Sequence, residues 1–348
     1  MNVQEAFLAQ SQVCADFGSP FTSRLCRLVA ERLAPGDPVA DRVLNWPGNP
    51  AGRADALPLR LAGALHGLIV ENRAPALAAV YPPNDGHVSD DTLWDAVLVA
   101  FRDHAEFLLA RLDQPPQTNE CQRSSGLCPG FLTVAARFGL PLVLSELGAS
   151  AGVNQVWDRF EYRFGDAQWG EDASPVKIAP DWSGPPPPIG PVEVLARAGC
   201  DRAPPDLSAE ADRLRLESFV FADQPERMAR LRAAMRLAQE AEIRVVERDA
   251  LDWLRERLAL RFPGAAHVVY HSIFWQYLDA AAQDRASGWM SRAGQDASET
   301  APLAWLRFEG DGNAPGGALL LTLWPTGETQ LIGRMDFHGR WVHWTGWR

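Results

Sequence analysis

The sequence predicts an α/β protein in two parts: an all-helical N-terminal domain over residues 1–140 and a mainly parallel, doubly wound sheet over residues 141–348. Three observations carry that prediction. Apolar residues recur at three- and four-residue steps through the first 139 positions. From Pro141 onward, short apolar runs alternate with helical stretches. The chain then closes on two strand-like runs around Pro325-Thr-Gly327, the signal of an antiparallel hairpin. A chain of 348 residues suits two domains, because single cores stop growing near roughly 250–300 residues.

In the helical half, stripes run from Phe21 to Leu33, Leu57 to Val70, Asp91 to Leu112 and Leu127 to Phe138, with Ser89 or Asp90 placed to cap the third. Breaks fall at Pro35-Gly36, between Pro47 and Pro50, and at Pro82-Pro83. Pro141 to Leu147 then reads as a buried strand entering a tight turn, Gly148 to Gly152, with a helix behind it. A proline- and tryptophan-rich insertion fills about 164–190. Pro191 to Asp201 reads as a helix or a strand leading to an acidic turn. Asp223-Gln-Pro-Glu226 has capping-box spacing, ahead of a helix that buries Met228, Leu231, Met235 and Ala238. Ile243 to Glu247 and Val268 to His271 read as strands flanking a helix near Leu251 to Leu260. Three more strands fit Leu303 to Phe308, Leu319 to Trp324 and Gln330 to Met335.

Composition narrows the function. With 47% hydrophobic and 22% charged residues the chain buries a real core. Its net charge of −11 opposes nonspecific nucleic-acid binding, and Lys177 is the single lysine. Leu57 to Val70 is too short to span a bilayer, and MNVQEAFLAQ lacks the regions of a signal peptide. We therefore expect a cytoplasmic protein with no membrane or nucleic-acid partner and a small-molecule substrate; a homo-oligomer stays open. The five cysteines form no C-x-x-C pair and the seven histidines no zinc spacing, so no metal is expected.

The chemistry centres on Glu146-Leu-Gly148-Ala-Ser150-Ala-Gly152, where a first strand meets a turn. Gly148 lets the backbone turn, and Gly152 allows close approach to the sheet or a ligand. This is similar to the E-x-G-x-G-x-G arrangement of class I methyltransferases, with Ser150 in place of the middle glycine. Asp201, ending the next strand, is placed to bind ribose hydroxyls, and Asp249-Ala250 to meet an adenine. Each acid has a structural alternative as a helix cap or a solvated turn. Gly148-Ala-Ser150-Ala-Gly152 also fits the G-x-S-x-G nucleophile elbow, with His271 or His338 downstream. About 140 helical residues before Ser150, without an oxyanion loop, oppose that serine-hydrolase reading.

Near 120, Asn119 can cap a helix with Gln122 three residues on. Alternatively Asn119, Glu120 and Arg123 reach into the crevice, where Arg123 would grip a carboxylate or phosphate. His271, ending a strand, is either a core histidine or a general base. The tail from His338 to Trp344 is dense in aromatics, which suits packing better than ligand stacking.

Five ordered segments, Thr118 to Arg123, Leu144 to Asn154, Gly199 to Asp206, His271 to Tyr277 and Phe337 to Trp341, resemble a bacterial family known as domain of unknown function 2332. The resemblance covers nearly the whole chain and implies little about activity. The second half resembles a Rossmann-like class I methyltransferase fold. The expected function is S-adenosylmethionine-dependent methyl transfer to a small molecule. Glu146, Gly148, Ser150, Gly152, Asp201, Asp249 and Ala250 would hold S-adenosylmethionine, with Asn119, Glu120 and Arg123 at the substrate and His271 as catalytic base. The alternative is a noncatalytic nucleotide- or partner-binding module that keeps the fold.

Overall fold

A computed structural model describes residues 1–52, 54–117 and 119–348, and it divides into two compact units, Met1–Thr118 with Ala209–Ala229, and Asn119–Ser208 with Arg230–Arg348. The division falls at 118 rather than the expected 140, and it is not contiguous in sequence.

The first unit is helical: α1 (Val3–Asp16), α2 (Pro20–Arg32), α3 (Pro38–Leu44), α4 (Leu57–Val70), α5 (Pro75–Ala78), α6 (Asp90–Asp103) and α7 (Ala105–Leu112). The expected stripe from 91 to 112 is two helices, α6 capped by Ser89 and α7 beginning after a break at His104 (φ −128, ψ 27). Leu28, Leu57, Leu65, Leu93, Phe101 and Leu108 form the centre of its core.

The second unit opens with α8 (Ser124–Phe138) and β1 (Leu142–Leu147). The insertion is not irregular. It folds into β2 (Glu161–Phe164), β3 (Ala167–Gly170) and β4 (Lys177–Ile178), a separate small sheet, and then β5 (Asp181–Ser183). Next comes β6 (Val194–Asp201), a strand, which settles the helix-or-strand choice at 191–201. The chain returns to the first unit for α9 (Glu210–Ser218) and the start of α10 (Pro225–Glu240). Asp223 does not form the expected box with Glu226; its carboxylate accepts from Ser19 Oγ (2.5 Å) and Phe21 N (2.8 Å) and so caps α2. Ser19, at the N-cap, makes no side-chain bond to the helix amides, and Asp223 supplies the acceptor instead.

Then follow β7 (Val245–Glu247), α11 (Ala250–Ala259), β8 (Ala266–Ser272), α12 (Ala280–Gln295), β9 (Leu303–Glu309), β10 (Gly317–Trp324), β11 (Glu328–Met335) and β12 (Trp341–Trp344). The main sheet has nine strands in the order β5-β12-β11-β10-β9-β8-β1-β6-β7. The five strands from β9 to β7 are parallel, whereas β9, β10, β11 and β12 pair antiparallel in sequence. This is a mixed α/β protein built on a large, mostly parallel central sheet.

Strand alternation assigns the two faces of the sheet. On one face Tyr270 and Leu306 meet α8, where Gly130 lets the helix approach: a Cβ there would lie 2.6 Å from a Leu306 methyl. On the other, Leu147, Val269, Leu303 and Trp305 form a core with Trp253 and Leu254 of α11 and Ala286 and Met290 of α12.

Candidate functional site

Behind β1 the backbone passes through left-handed conformations at Gly148 (φ 66), Ser150 (φ 49) and Gly152 (φ 72). Ser150 pays a steric cost there that glycine would not, and hydrogen bonds hold it in place. Its N–H donates to Asp201 Oδ2 (2.9 Å), and its Oγ accepts from Asn119 Nδ2 (2.9 Å). Asn119 Oδ1 in turn accepts from Ala151 N (3.1 Å), while Asp201 Oδ1 accepts from Ala203 N (3.0 Å). Asn119 and Asp201 thus lock the turn.

The helix expected behind this turn is absent. Val153–Arg159 winds as 3-10 structure broken at Val156 (φ −102, ψ 25), with residues 153 to 157 all buried. Asp249 caps α11, accepting from Leu251 N (2.9 Å) and Asp252 N (3.4 Å), and pairs with Arg202 (3.1 Å). Burial pulls its carboxyl upward, but Arg202 and the backbone donors together hold it below the usual range. Ala250 is the buried first residue of that helix.

Side chains of the protein occupy the space these glycines leave. A Cβ on Gly148 would lie 2.4 Å from Phe274 Cδ2, and one on Gly152 would lie 2.7 Å from Ile243 Cγ2. On β6, a Cβ on Gly199 would lie 2.3 Å from Gln155 Nε2.

Gly199 therefore explains the surroundings of Glu146. Register places Glu146 between Gly199 on one side and Tyr270 on the other, so Gln155, Glu146 and Tyr270 form one row on the α8 face. Glu146 is 4% exposed, and Gln155 and Tyr270 are buried. Glu146 Oε2, Gln155 Nε2 and Tyr270 Oη all lack a hydrogen-bond partner. Burial raises the Glu146 carboxyl to about 8; Tyr270 and Gln155, close but outside hydrogen-bonding geometry, pull it back only in part, and Asp201 pushes it further up.

His271, from the same strand, points to the other face and is fully buried. Its Nδ1 lies 2.6 Å from Glu309 Oε1, and its ring stacks on Trp275 at 4.9 Å and 10°. The same Glu309 oxygen accepts from Phe274 N (2.9 Å) and Trp275 N (3.1 Å). Just before these two amides Ile273 adopts φ 51, a conformation that a β-branched residue rarely takes.

Asn119, Glu120 and Arg123 belong to the sheet unit itself; Thr118, which begins their motif, lies outside the described residues. Glu120 Oε1 accepts from Gln122 N (3.0 Å), so Glu120 caps this turn instead of Asn119. Arg123 donates to Phe337 O (3.0 Å) and Ser272 O (3.4 Å), tying the tail to the end of β8. The structure thus gathers Asn119, Ser150, Gly152 and Asp201 at one turn and places Glu146 beside it. It puts His271 on the opposite face, and Asp249 and Ala250 at the head of α11.

The sequence marks Tyr270 and Phe274 only as part of the segment that ends the fourth predicted strand, and it gives no role to Gln155 or Glu309. Glu309 had a usable signal, an acid ending an apolar strand; the others needed the register. A depression lined by Leu258, Phe262, His267, Pro302 and Leu303 lies at the opposite, amino-terminal edge of β8 and β9, and we assign it no part in this site.

Among the described residues no three His, Cys, Asp or Glu side chains group to hold a metal, and no helix is long and apolar enough to cross a membrane. Residues 4–344 match the model of one bacterial family, described as uncharacterized protein conserved in bacteria (DUF2332). No curated protein and no solved structure matches the chain.

Proposed function

We propose that the chain, which belongs to the DUF2332 family, binds S-adenosylmethionine at the carboxyl ends of β1, β6 and β8 and transfers its methyl group to a small molecule. The observation that carries this reading is the buried Glu146 carboxyl at the end of β1, whose Oε2 makes no hydrogen bond of good geometry and has only the weaker pull of Tyr270 and Gln155 beside it. An unpaired buried polar atom costs about 1–3 kcal/mol, and a ligand hydroxyl or amino group would recover it. The position supports the reading too. The chain leaves β1 toward β6 on one side and later crosses to β8 on the other, and open α/β sheets bind ligands at such a switch point. The order β7-β6-β1-β8-β9 of five parallel strands supports reading the sheet as Rossmann-like and methyltransferase-type.

The fit is partial and local. Glu146 has unused hydrogen-bonding capacity, and each Asp201 oxygen has an uncommitted lone pair beyond its one backbone donor. Bound S-adenosylmethionine would supply an already activated methyl group. The protein's residues would position: Glu146 and Asp201 orient the ligand, and the locked turn keeps them in place. His271 takes a proton only where the acceptor must lose one. Five buried cysteines, none in a disulfide among the described residues, suit the reducing cytoplasm we assign to it.

One feature favours a second reading, a noncatalytic module. Phe274 fills the space above Gly148 that a close-lying ligand needs. Thermal unfolding with S-adenosylmethionine and S-adenosylhomocysteine, against ATP and NAD as controls, separates the two. A ligand at about 100 times its Kd adds about 2.7 kcal/mol of stability. A rise in Tm specific to the adenosyl-sulfur ligands is expected; no rise at millimolar ligand abandons the methyl-transfer reading.

A further inference from the structure

We infer that Glu309 is a positioning residue that holds His271 as its Nδ1–H tautomer and so leaves Nε2 as the proton-accepting atom of that ring. The inference deepens the role proposed for His271 and rests on that reading for its chemistry, though not for its geometry.

The argument begins with one oxygen. Glu309 Oε1 accepts from two successive backbone N–H groups, Phe274 and Trp275, and lies 2.6 Å from His271 Nδ1. A carboxylate oxygen offers no proton, so at that distance Nδ1 must bear one; two facing lone pairs would repel. A neutral ring then has its lone pair on Nε2. That atom is buried and lacks a hydrogen-bond partner. A lone pair left there costs less than a buried N–H without an acceptor.

The surroundings keep this arrangement rigid. Trp275 stacks on the imidazole, and Phe274 and Trp305 meet it at 5.9 and 6.0 Å. Ile273 holds φ 51, strain that the three bonds to Glu309 offset and that segments near functional sites often store. A purely structural cap would need Glu309 and the two backbone donors, without a histidine whose second nitrogen has no partner. In the reaction, the acceptor's O–H or N–H bond breaks and its proton goes to Nε2. The bonding pair stays on the acceptor atom, and the imidazolium keeps its Nδ1–H on the Glu309 carboxylate.

The test is the tautomer itself, observed in the full chain. Long-range proton–nitrogen correlation spectra of the 15N-labelled protein report which ring nitrogen bears hydrogen, and the His271 signal is the one lost in His271→Gln. The expected spectrum has Nδ1 protonated and Nε2 bare. Glu309→Gln, which keeps an oxygen acceptor, retains that tautomer, whereas Glu309→Ala shifts the ring toward Nε2–H. Nε2–H in the native chain, or an unchanged tautomer in a folded Glu309→Ala chain, overturns the inference. If Glu309→Ala does not fold, the native and Glu309→Gln spectra decide. The Tm assay with adenosyl ligands is separate: absence of a Tm rise beside the expected tautomer defeats methyl transfer and leaves the role of Glu309 intact.

Discussion

Replacing Glu146 by glutamine should change how stability depends on pH, and the structure sets the scale. Burial lifts this carboxyl from an ordinary 4.5 to about 8. Between those values the native protein holds a proton that the unfolded chain has released. Native stability therefore falls as pH rises through that window, by about 1.4 kcal/mol per pH unit, and levels off above the native value. Over roughly 3.5 units the ceiling is about 5 kcal/mol. Only 4% of Glu146 is exposed, so solvent screens little of it. Glu146→Gln keeps the shape and removes the titration. Urea unfolding of both proteins from pH 5 to 9 should show the variant gaining on the native chain through pH 8 and holding its lead beyond. Taking the difference cancels every other titrating group. A difference that stays constant across the range refutes the idea of a protonated, desolvated carboxyl.

His267 predicts the mirror image. Burial, helped by Arg257 and Arg261, holds it at about 3 against an ordinary 6.5. The unfolded chain takes up a proton that the native state refuses, so stability falls as pH drops from 6.5 toward 3. His267→Gln should move the midpoint of acid unfolding, followed by circular dichroism, to lower pH; an unmoved midpoint counts against the shift. Gly148→Ala combines a left-handed φ, costing about 1–2 kcal/mol, with a clash against Phe274. Adding Phe274→Ala should recover the clash and leave the backbone cost, and strict additivity in the double-mutant cycle would deny the contact. Asn119→Ala removes both of its bonds to the glycine turn and should cost about 1–3 kcal/mol in urea unfolding. A stability matching the native chain would mean that Asp201 holds the turn without it.

Local patterns in the sequence were read well where local forces decide. α4 spans Leu57–Val70, the very stripe its periodicity marks, and the hairpin at Pro325-Thr-Gly327 joins β10 and β11 as expected. α12 draws only a faint stripe in the sequence because three of the four residues it buries, Ala282, Ala286 and Gly294, are small and Met290 stands alone among them. The α-helix expected after Gly152 is replaced by 3-10 structure kinked at Val156, a break that the glycine signature ahead of it does not encode. At the candidate site, Glu146 could be found because it ends a strand before a turn. Its neighbours Gln155 and Tyr270 are set by the pairing of three strands, and Asp223 caps a helix whose Phe21 N lies 202 positions earlier. Periodicity carries no information about partners at such distance.

That distant cap also constrains how the molecule is made. During synthesis the first 118 residues emerge long before Asp223, so α2 waits with its leading amides uncapped while β1 to β6 are translated. α9 arrives equally late, with Phe219 filling the notch left by Gly63 on α4. An expressed fragment ending near 140 would lack both pieces and should be markedly less stable than the same helices in the whole chain. Removing the leading helices instead would strand residues 209–229 without the helices they complete. The shortest stretch of chain that contains the whole helical unit runs to residue 229, and it carries the first sheet strands along with it.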